Sequence, residues 1–440
     1  MKSWLSLISR LRHFWRDQRG NTFMIVAFAL PVVVGAAGLG VHTIQLVLVK
    51  RQLQREADSA AMAGAYSLYQ SQGNTAATAA ANKALTQNAL VTGATATITP
   101  GSYTSGGTTY TSAMYVQLVS TQSTPFMGLF GRSTSDVSAD ARAAVVQDGD
   151  ICFRALKKGS TTGITFGGNS TVNLGCGSGT NSQSVSAAVN VNGQPSVTSS
   201  PIVAMGGIQS STAYANGTVL MPNHDELGDP FANTANPGSS DVSNGKCKNG
   251  GNWNVINVGS GTVVDDSSGT LYPPGCYGTI SVKGTLTLAP GVYYLADGSN
   301  NAGLQIGAQG HLTCLGCTFV LTSLTPNNAN SFATMDINGG AEVDLTNSTS
   351  GTYAGITIYR DSRAAASNQC CKINGNSNST YSGAFYFPND TLTFNGTAGM
   401  TLNCFQMVAG WLSFSGNASI TNTCPLDPTK WALSSVRLIG

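Results

Sequence analysis

His311, Cys314 and Cys317 form a His-x-x-Cys-x-x-Cys string, a spacing that suits a zinc ion. A closed structural site needs a fourth ligand, and the other cysteines point to different chemistry. All ten cysteines lie beyond residue 150, an even number in a stretch that the membrane topology argued below exports from the cytoplasm. Disulfides are therefore expected, and no metal. Neighbours in order, Cys152 with Cys176, Cys247 with Cys276, Cys314 with Cys317 and Cys404 with Cys424, would close short loops. Cys370 and Cys371 are adjacent, and either bond each other or each pair elsewhere. Glycoside hydrolysis needs two facing carboxylates, and polysaccharide lyases need a base beside a cation or metal. The residues available are Asp336, Glu342, Asp344, Arg360, Asp361, Arg363 and Asp390. Asp336 and Asp344, eight residues apart on neighbouring strands, could share a face, but a bare pair of acids arises by chance and solvated surface is expected. The densest polar cluster, His224-Asp225-Glu226 with Asp229, is bracketed by Pro222 and Pro230 and reads as a loop joining two parts of one domain. Trp411, Tyr293 and Tyr294 could stack on sugars, although aromatics packed rung on rung are commoner. No Gly-x-Ser-x-Gly, phosphate-binding loop or dinucleotide fingerprint is present. Neither catalysis nor a cofactor is expected.

The element that must position everything else is residues 21–49, which contain no Lys, Arg, Asp or Glu. Phe23 to Val41 is an almost unbroken apolar run, and its helical length approaches the roughly 30 Å hydrocarbon core of a bilayer. Lys2, Arg10, Arg12, Arg16 and Arg19 precede it against the single acid Asp17, so residues 1–20 should stay in the cytoplasm and residues 50–440 should be exported. The run is longer than the apolar region of a cleaved signal peptide, about 7–15 residues. Pro31, Gly35, Gly38 and Gly40 would weaken a soluble helix but are tolerated in a membrane. A single-pass anchor is expected. Charged residues are only 10% of the chain, 52 residues are Gly, and the net charge is +2. That balance offers nucleic acid no basic surface and suits an extracytoplasmic β-rich scaffold.

Residues 50–69 should extend the membrane helix outward. Leu53, Ala57, Ala60, Gly64 and Leu68 recur at helical spacing as one stripe of mostly small residues, able to admit a second helix or to cover its own domain. Alternation from Ala94, again over Met114, Val116 and Leu118, and once more after Pro125 predicts a small sheet. The result is a pilin-like α+β unit over 50–148.

Several features of this region resemble the N-terminal segment of TadE/TadG-like proteins of Flp (tight-adherence) pilus assembly. They are Arg19-Gly20-Asn21 before the span, Pro31 within it, and Leu53, Ala57, Asp58, Ala60, Ala61 and Ala63-Gly64 after it. Phe126 to Gly131 and Ser138 to Ala144 are similar to the close of that family's N-terminal domain, so the resemblance covers about 145 residues. It implies a cell-envelope protein whose partners are the membrane and pilus-assembly or other envelope proteins. Two departures limit the transfer. Pseudopilins of this group are cleaved after a Gly followed five residues later by Glu. Here Ile25 stands at that spacing from Gly20, and the first Glu after it is Glu56, so processing and polymerisation as a pilin are not expected. Longer members carry a von Willebrand A domain with an Asp-x-Ser-x-Ser metal site. The nearest string, Asp266-Ser267-Ser268-Gly269-Thr270, lacks the last Ser.

Residues 149–275 are a Gly/Ser/Asn-rich β region with a loop, and from 276 to 440 the pulses become regular. Pairs such as Leu286 and Leu288, Val343 and Leu345, or Leu412 and Phe414 flank single residues between turns, and Asn374-Gly375, Asn395-Gly396 and Ser415-Gly416 recur at 21 and 20 residues. That short period without intervening helices predicts a right-handed parallel β-helix in preference to a β-sandwich. The stretch beginning Pro274-Gly275-Cys276 also resembles exported modules fused to TadG-type anchors. The expected protein is mainly β, an envelope component with its solenoid in the periplasm or at the cell surface. It is expected to act by structural or adhesive binding, with glycans among the possible ligands. The alternatives are an anchored carbohydrate-active enzyme and a stand-alone adhesin.

Overall fold

The computed structural model describes residues 19–105, 108–128, 131, 133–265, 271–296, 303–328, 331–366, 370–375, 379–396, 399–417, 419–422 and 432–439. Two compact units emerge: residues 1–146 with 434–440, and residues 147–433. The boundary expected at 275/276 falls inside the second of them.

The first unit is built on one long helix, α1 (Arg19–Tyr69), followed by α2 (Gly73–Asn88) and strands β1 (Thr95–Ser105), β2 (Thr108–Ser123) and β3 (Thr134–Ala155). β1 and β2 form an antiparallel hairpin, and β2 pairs antiparallel with the first half of β3. Alternation sends Met114, Val116 and Leu118 of β2 and Val137, Ala139, Ala141 and Ala143 of β3 to one face. The C-terminal half of α1 and the alanines Ala77, Ala81 and Ala84 of α2 complete that core. The chain's last residues belong to this unit: Val436 is buried in the same core, and the Ile439 amide donates to the Arg142 carbonyl.

The second unit is a parallel β-solenoid. Strands Val255–Val258, Thr262–Val264 and Gly275–Tyr277 form one coil, and each lies in register on its counterpart in the next coil, Thr279–Val282, Thr285–Leu288 and Gly291–Leu295. The stacking continues through Leu304–Ile306, His311–Cys314 and Cys317–Leu321, then through Met335–Ile337, Glu342–Leu345 and Ile356–Arg360. Cys371–Gly375, Thr380–Gly396 and Gly399–Gly416 follow. Period-two alternation turns every second side chain inward.

The order of coils in space is not their order in sequence. Gly399–Gly416 pairs on its far edge with Phe153–Ala155 and Ile164–Phe166, so the first coil of the unit sits on the last. Gly177–Thr180, Val189–Gly193 and Ile202–Ala204 then extend the stack away from that junction. One inward column runs unbroken through Ile256, Ile280, Leu304, Met335, Cys371, Leu392, Leu412, Ile164 and Val189, all buried. At the junction Phe414 stacks on Phe166 with ring centroids 5.3 Å apart. The glycine corner also crosses it: Gly416 lies beside Gly168, both at positive φ, and a Cβ on Gly168 would come within 2.6 Å of the Gly416 carbonyl. Only glycine fits that backbone and that approach.

Because the early coils end far from where the late coils begin, the connecting segment, residues 222–247, must travel back along the outside of the stack. It is held coil by coil. Asn181 clamps Leu227 through both backbone groups, accepting at 2.8 Å and donating at 2.9 Å, and Arg154 Nη1 donates to the Gly228 carbonyl at 2.7 Å. Farther on, Tyr386 donates to Asp229, Tyr359 donates to Asn236, and Arg363 donates to the Pro237 carbonyl. Cys247, bonded to Cys276, ends the strap on the coil it introduces.

Candidate functional site

Helix α1 has two halves with opposite surroundings. From Met24 to Leu48 most of its large apolar side chains face outward, with Phe28 77% and Val32 70% exposed, while Leu46 already packs on the unit's core. Among the described residues this is the one helix long and apolar enough to cross a membrane. From Leu53 the helix is buried against its own sheet and α2. Leu53, Ala57 and Ala60 are fully covered, and Leu68 packs partly buried on the same core. Gly64 closes the stripe: a Cβ there would meet Met114 at 2.6 Å and the Ala77 carbonyl at 3.2 Å. Of the two uses left open for the stripe, the structure shows it covering its own unit. Glu56 was not legible as a structural residue. Its buried carboxylate accepts from the backbone amides of Leu90 and Val91 at 2.6 and 2.9 Å, tying the segment after α2 to α1.

In the solenoid Cys152 bonds Cys176, Cys314 bonds Cys317 and Cys370 bonds Cys371. Cys424 and the side chain of Cys404 lie outside the described residues, as do residues 266–270. His311 is no ligand of the neighbouring sulfurs. Its position faces outward, where Nδ1 lies 2.6 Å from Glu342, the residue in register with it on the next coil. Asp336 and Asp344 do not share a face. Asp336 stands in register with Gln305 and Lys372, and Asp344 with Thr313 and Thr380, so the two acids belong to different sheets of one coil. Consecutive strands of a coil are separated by a bend, which residue spacing alone cannot show.

The charged residues farther along are structural partners. Arg360 pairs with Asp390, with both side chains at most 4% exposed, and Arg360 also donates to the Ala333 carbonyl. Asp361, fully buried, takes Arg363 at 2.6 Å and the Thr322 hydroxyl at 2.8 Å. The cluster at His224, Asp225, Glu226 and Asp229 opens the strap, where Glu226 pairs with Lys158 at 2.7 Å.

Tyr293 is buried in a rung stack, 6.2 Å from Tyr277 and 5.6 Å from Phe319. Tyr294 starts a second aromatic column through Tyr353, Tyr359 and Tyr386 to Phe231 of the strap. Burial pushes the phenols of this column up: Tyr294, with the Asp241 carboxylate adding to the effect, reaches about 12, and Tyr353, Tyr359 and Tyr386 move the same way. Tyr293 is fully buried and offers no platform for a sugar, whereas Tyr294 is half-buried and lines a groove of about 890 Å³ together with Trp253. Trp253 is packed by Lys248, whose Nζ lies 4.5 Å from the ring centroid, and by the Gly278 backbone, where a Cβ would meet the ring at 3.0 Å. Trp411 points outward beside a groove of about 590 Å³, its indole N–H donating to Thr161 Oγ1 at 3.2 Å.

Residues 20–67 match the family described as Flp pilus-assembly TadE/G-like. No curated protein and no solved structure matches the chain.

Proposed function

We propose that this chain, whose residues 20–67 carry the TadE/G-like segment, is a single-pass anchored envelope component of a Flp-type pilus-assembly system. The observation that carries the reading is the coincidence of that match with the exposed apolar half of α1. The same helix then continues into a folded unit, so anchor and unit are one rigid element. The basic residues ahead of the span orient residues 50–440 outward, and cysteines confined to the region beyond residue 150 agree with an oxidising compartment. The solenoid lies in the periplasm or at the surface and acts by binding, without turnover. Three features support a binding body: its buried charged residues Arg360, Asp361 and Asp390 are spent on internal pairs, disulfides tie Cys152 to Cys176 and the strap to its coil, and its sheets present long, regular outward rows.

Deletion in the native host, scored by electron microscopy for pili and by surface attachment, tests this. Complementation uses the full chain and a short chain in which residues 1–148 are joined by a flexible linker to 432–440, which the N-terminal core needs. Loss of pili rescued only by the full chain makes the solenoid part of assembly. Rescue of pili by the short chain makes the solenoid an accessory binder. Normal pili and normal attachment after deletion would overturn the proposal. Labelling of single cysteines placed at residue 18 and residue 74, with a membrane-impermeant reagent on intact spheroplasts, checks orientation: only the second should react.

A further inference from the structure

We infer that the groove beside Trp411 is a binding site for a linear, uncharged glycan. This goes beyond the pilus-assembly reading and does not depend on it. Strand alternation sends Leu412 and Phe414 into the core and leaves Trp411 and Ser413 outside. The indole is pre-set, because its N–H is tied to Thr161 in the neighbouring coil, and the half-buried ring lines the groove. Fixing an aromatic platform before binding removes part of the ordering cost that a free side chain would carry. Trp411 is in register with Thr391, and beside it runs a row of half-buried polar residues, one per coil: Thr393, Ser413, Thr165 and Asn190. Parallel strands place those groups about 4.8 Å apart. That step is close to the length of one pyranose in an extended chain, so successive sugars can meet successive hydroxyls.

The charge pattern selects the ligand class. No charged residue lines the groove among the described residues, and its polar atoms are hydroxyls that both donate and accept. An anionic polymer would find no cation there, whereas a neutral polyol finds complementary hydrogen-bond groups beside a flat ring for its C–H face. The row becomes charged only farther along the same sheet, at Lys372 and Asp336, beyond Thr393.

The experiment uses the full chain in lipid nanodiscs, titrated with cellohexaose, chitohexaose, maltohexaose and, as the anionic comparison, hexagalacturonate, with calorimetry and tryptophan fluorescence as readouts. At least one neutral hexamer should bind saturably and shift the emission, with an affinity unchanged between 50 and 500 mM salt, since no ion pair is involved. Trp411→Ala should weaken it about tenfold or more. Trp411→Phe keeps a ring and should lose less, and Thr165→Lys, on the surface of the row, should block it without touching the core. Far-UV circular dichroism and melting temperature establish that each variant is folded. Failure of every neutral hexamer to bind, tighter binding of the galacturonate, or neutral binding that survives both Trp411→Ala and Thr165→Lys would each overturn the assignment. None of these outcomes bears on whether the chain is needed for pili.

Discussion

The two units bury their backbones by different means. In the N-terminal unit one helix lies on an antiparallel sheet, and closeness is achieved by removing atoms: Ala57, Ala60 and Gly64 let α1 approach Met114 and Ala77. In the solenoid closeness comes from repetition, each strand resting on a copy of itself with leucine on isoleucine and phenylalanine on phenylalanine. The first design is sensitive to volume at a few positions. The second tolerates variation in any one rung but depends on what pins the strap and its coils together.

The largest separation between the units is expected at high pH. The tyrosines pushed up by burial, among them Tyr214, Tyr277 and Tyr294 at about 12, all belong to the solenoid. A phenol whose folded value lies above its ordinary 10.0 holds its proton in the folded state longer than in the unfolded state. Its stabilising contribution is full below about pH 10 and is lost as pH rises through the folded value. Urea midpoints followed by near-ultraviolet circular dichroism should therefore fall steeply from pH 10 to 12 for the solenoid transition. A midpoint that stays level there contradicts the buried column.

Next comes the buried ion pair. Arg360→Ala leaves Asp390 charged and covered, a loss of about 3–5 kcal/mol, whereas the double change Arg360→Met with Asp390→Leu should restore most of it. An equal loss in single and double variants would show that packing, and not the charge, matters. Replacing Cys247 and Cys276 together by Ser should cost about 3 kcal/mol and open the strap to proteolysis between residues 222 and 247 while the coils stay intact. Mass spectrometry of the fragments reads this directly. The smallest effect belongs to the other unit: Gly64→Leu overpacks against Met114 and should cost about 1–3 kcal/mol, confined to the N-terminal transition. If the solenoid transition moved as well, the units would not be independent.

The contrast also explains what could be read in advance. The apolar segment, long enough to cross a membrane, is a property of about twenty contiguous residues, so composition alone reveals it. Strand alternation is equally local, and the Asn-Gly and Ser-Gly corners at 374, 395 and 415 showed their period because adjacent coils there are adjacent in sequence. The corner at Gly168 was invisible, since its neighbour in the stack is Gly416, nearly 250 residues away. Trp411 was visible as an aromatic, but its orientation depends on Thr161 of the junction coil, 250 residues away in sequence.

Chain chemistry by itself determined the long apolar helix, the β character and the alternation of inward and outward positions along many of the strands, because each follows from interactions between residues close in sequence. Only the tertiary structure decided that the coil of 151–173 stacks on that of 399–422, that residues 222–247 run back as a strap, and that Asp336 and Asp344 stand on different sheets. A parallel ladder is open at both ends, and any coil with matching register and apolar side chains turned inward can dock there. Which coil does so is a choice among distant segments, made by packing such as Phe414 on Phe166, and no local pattern records it.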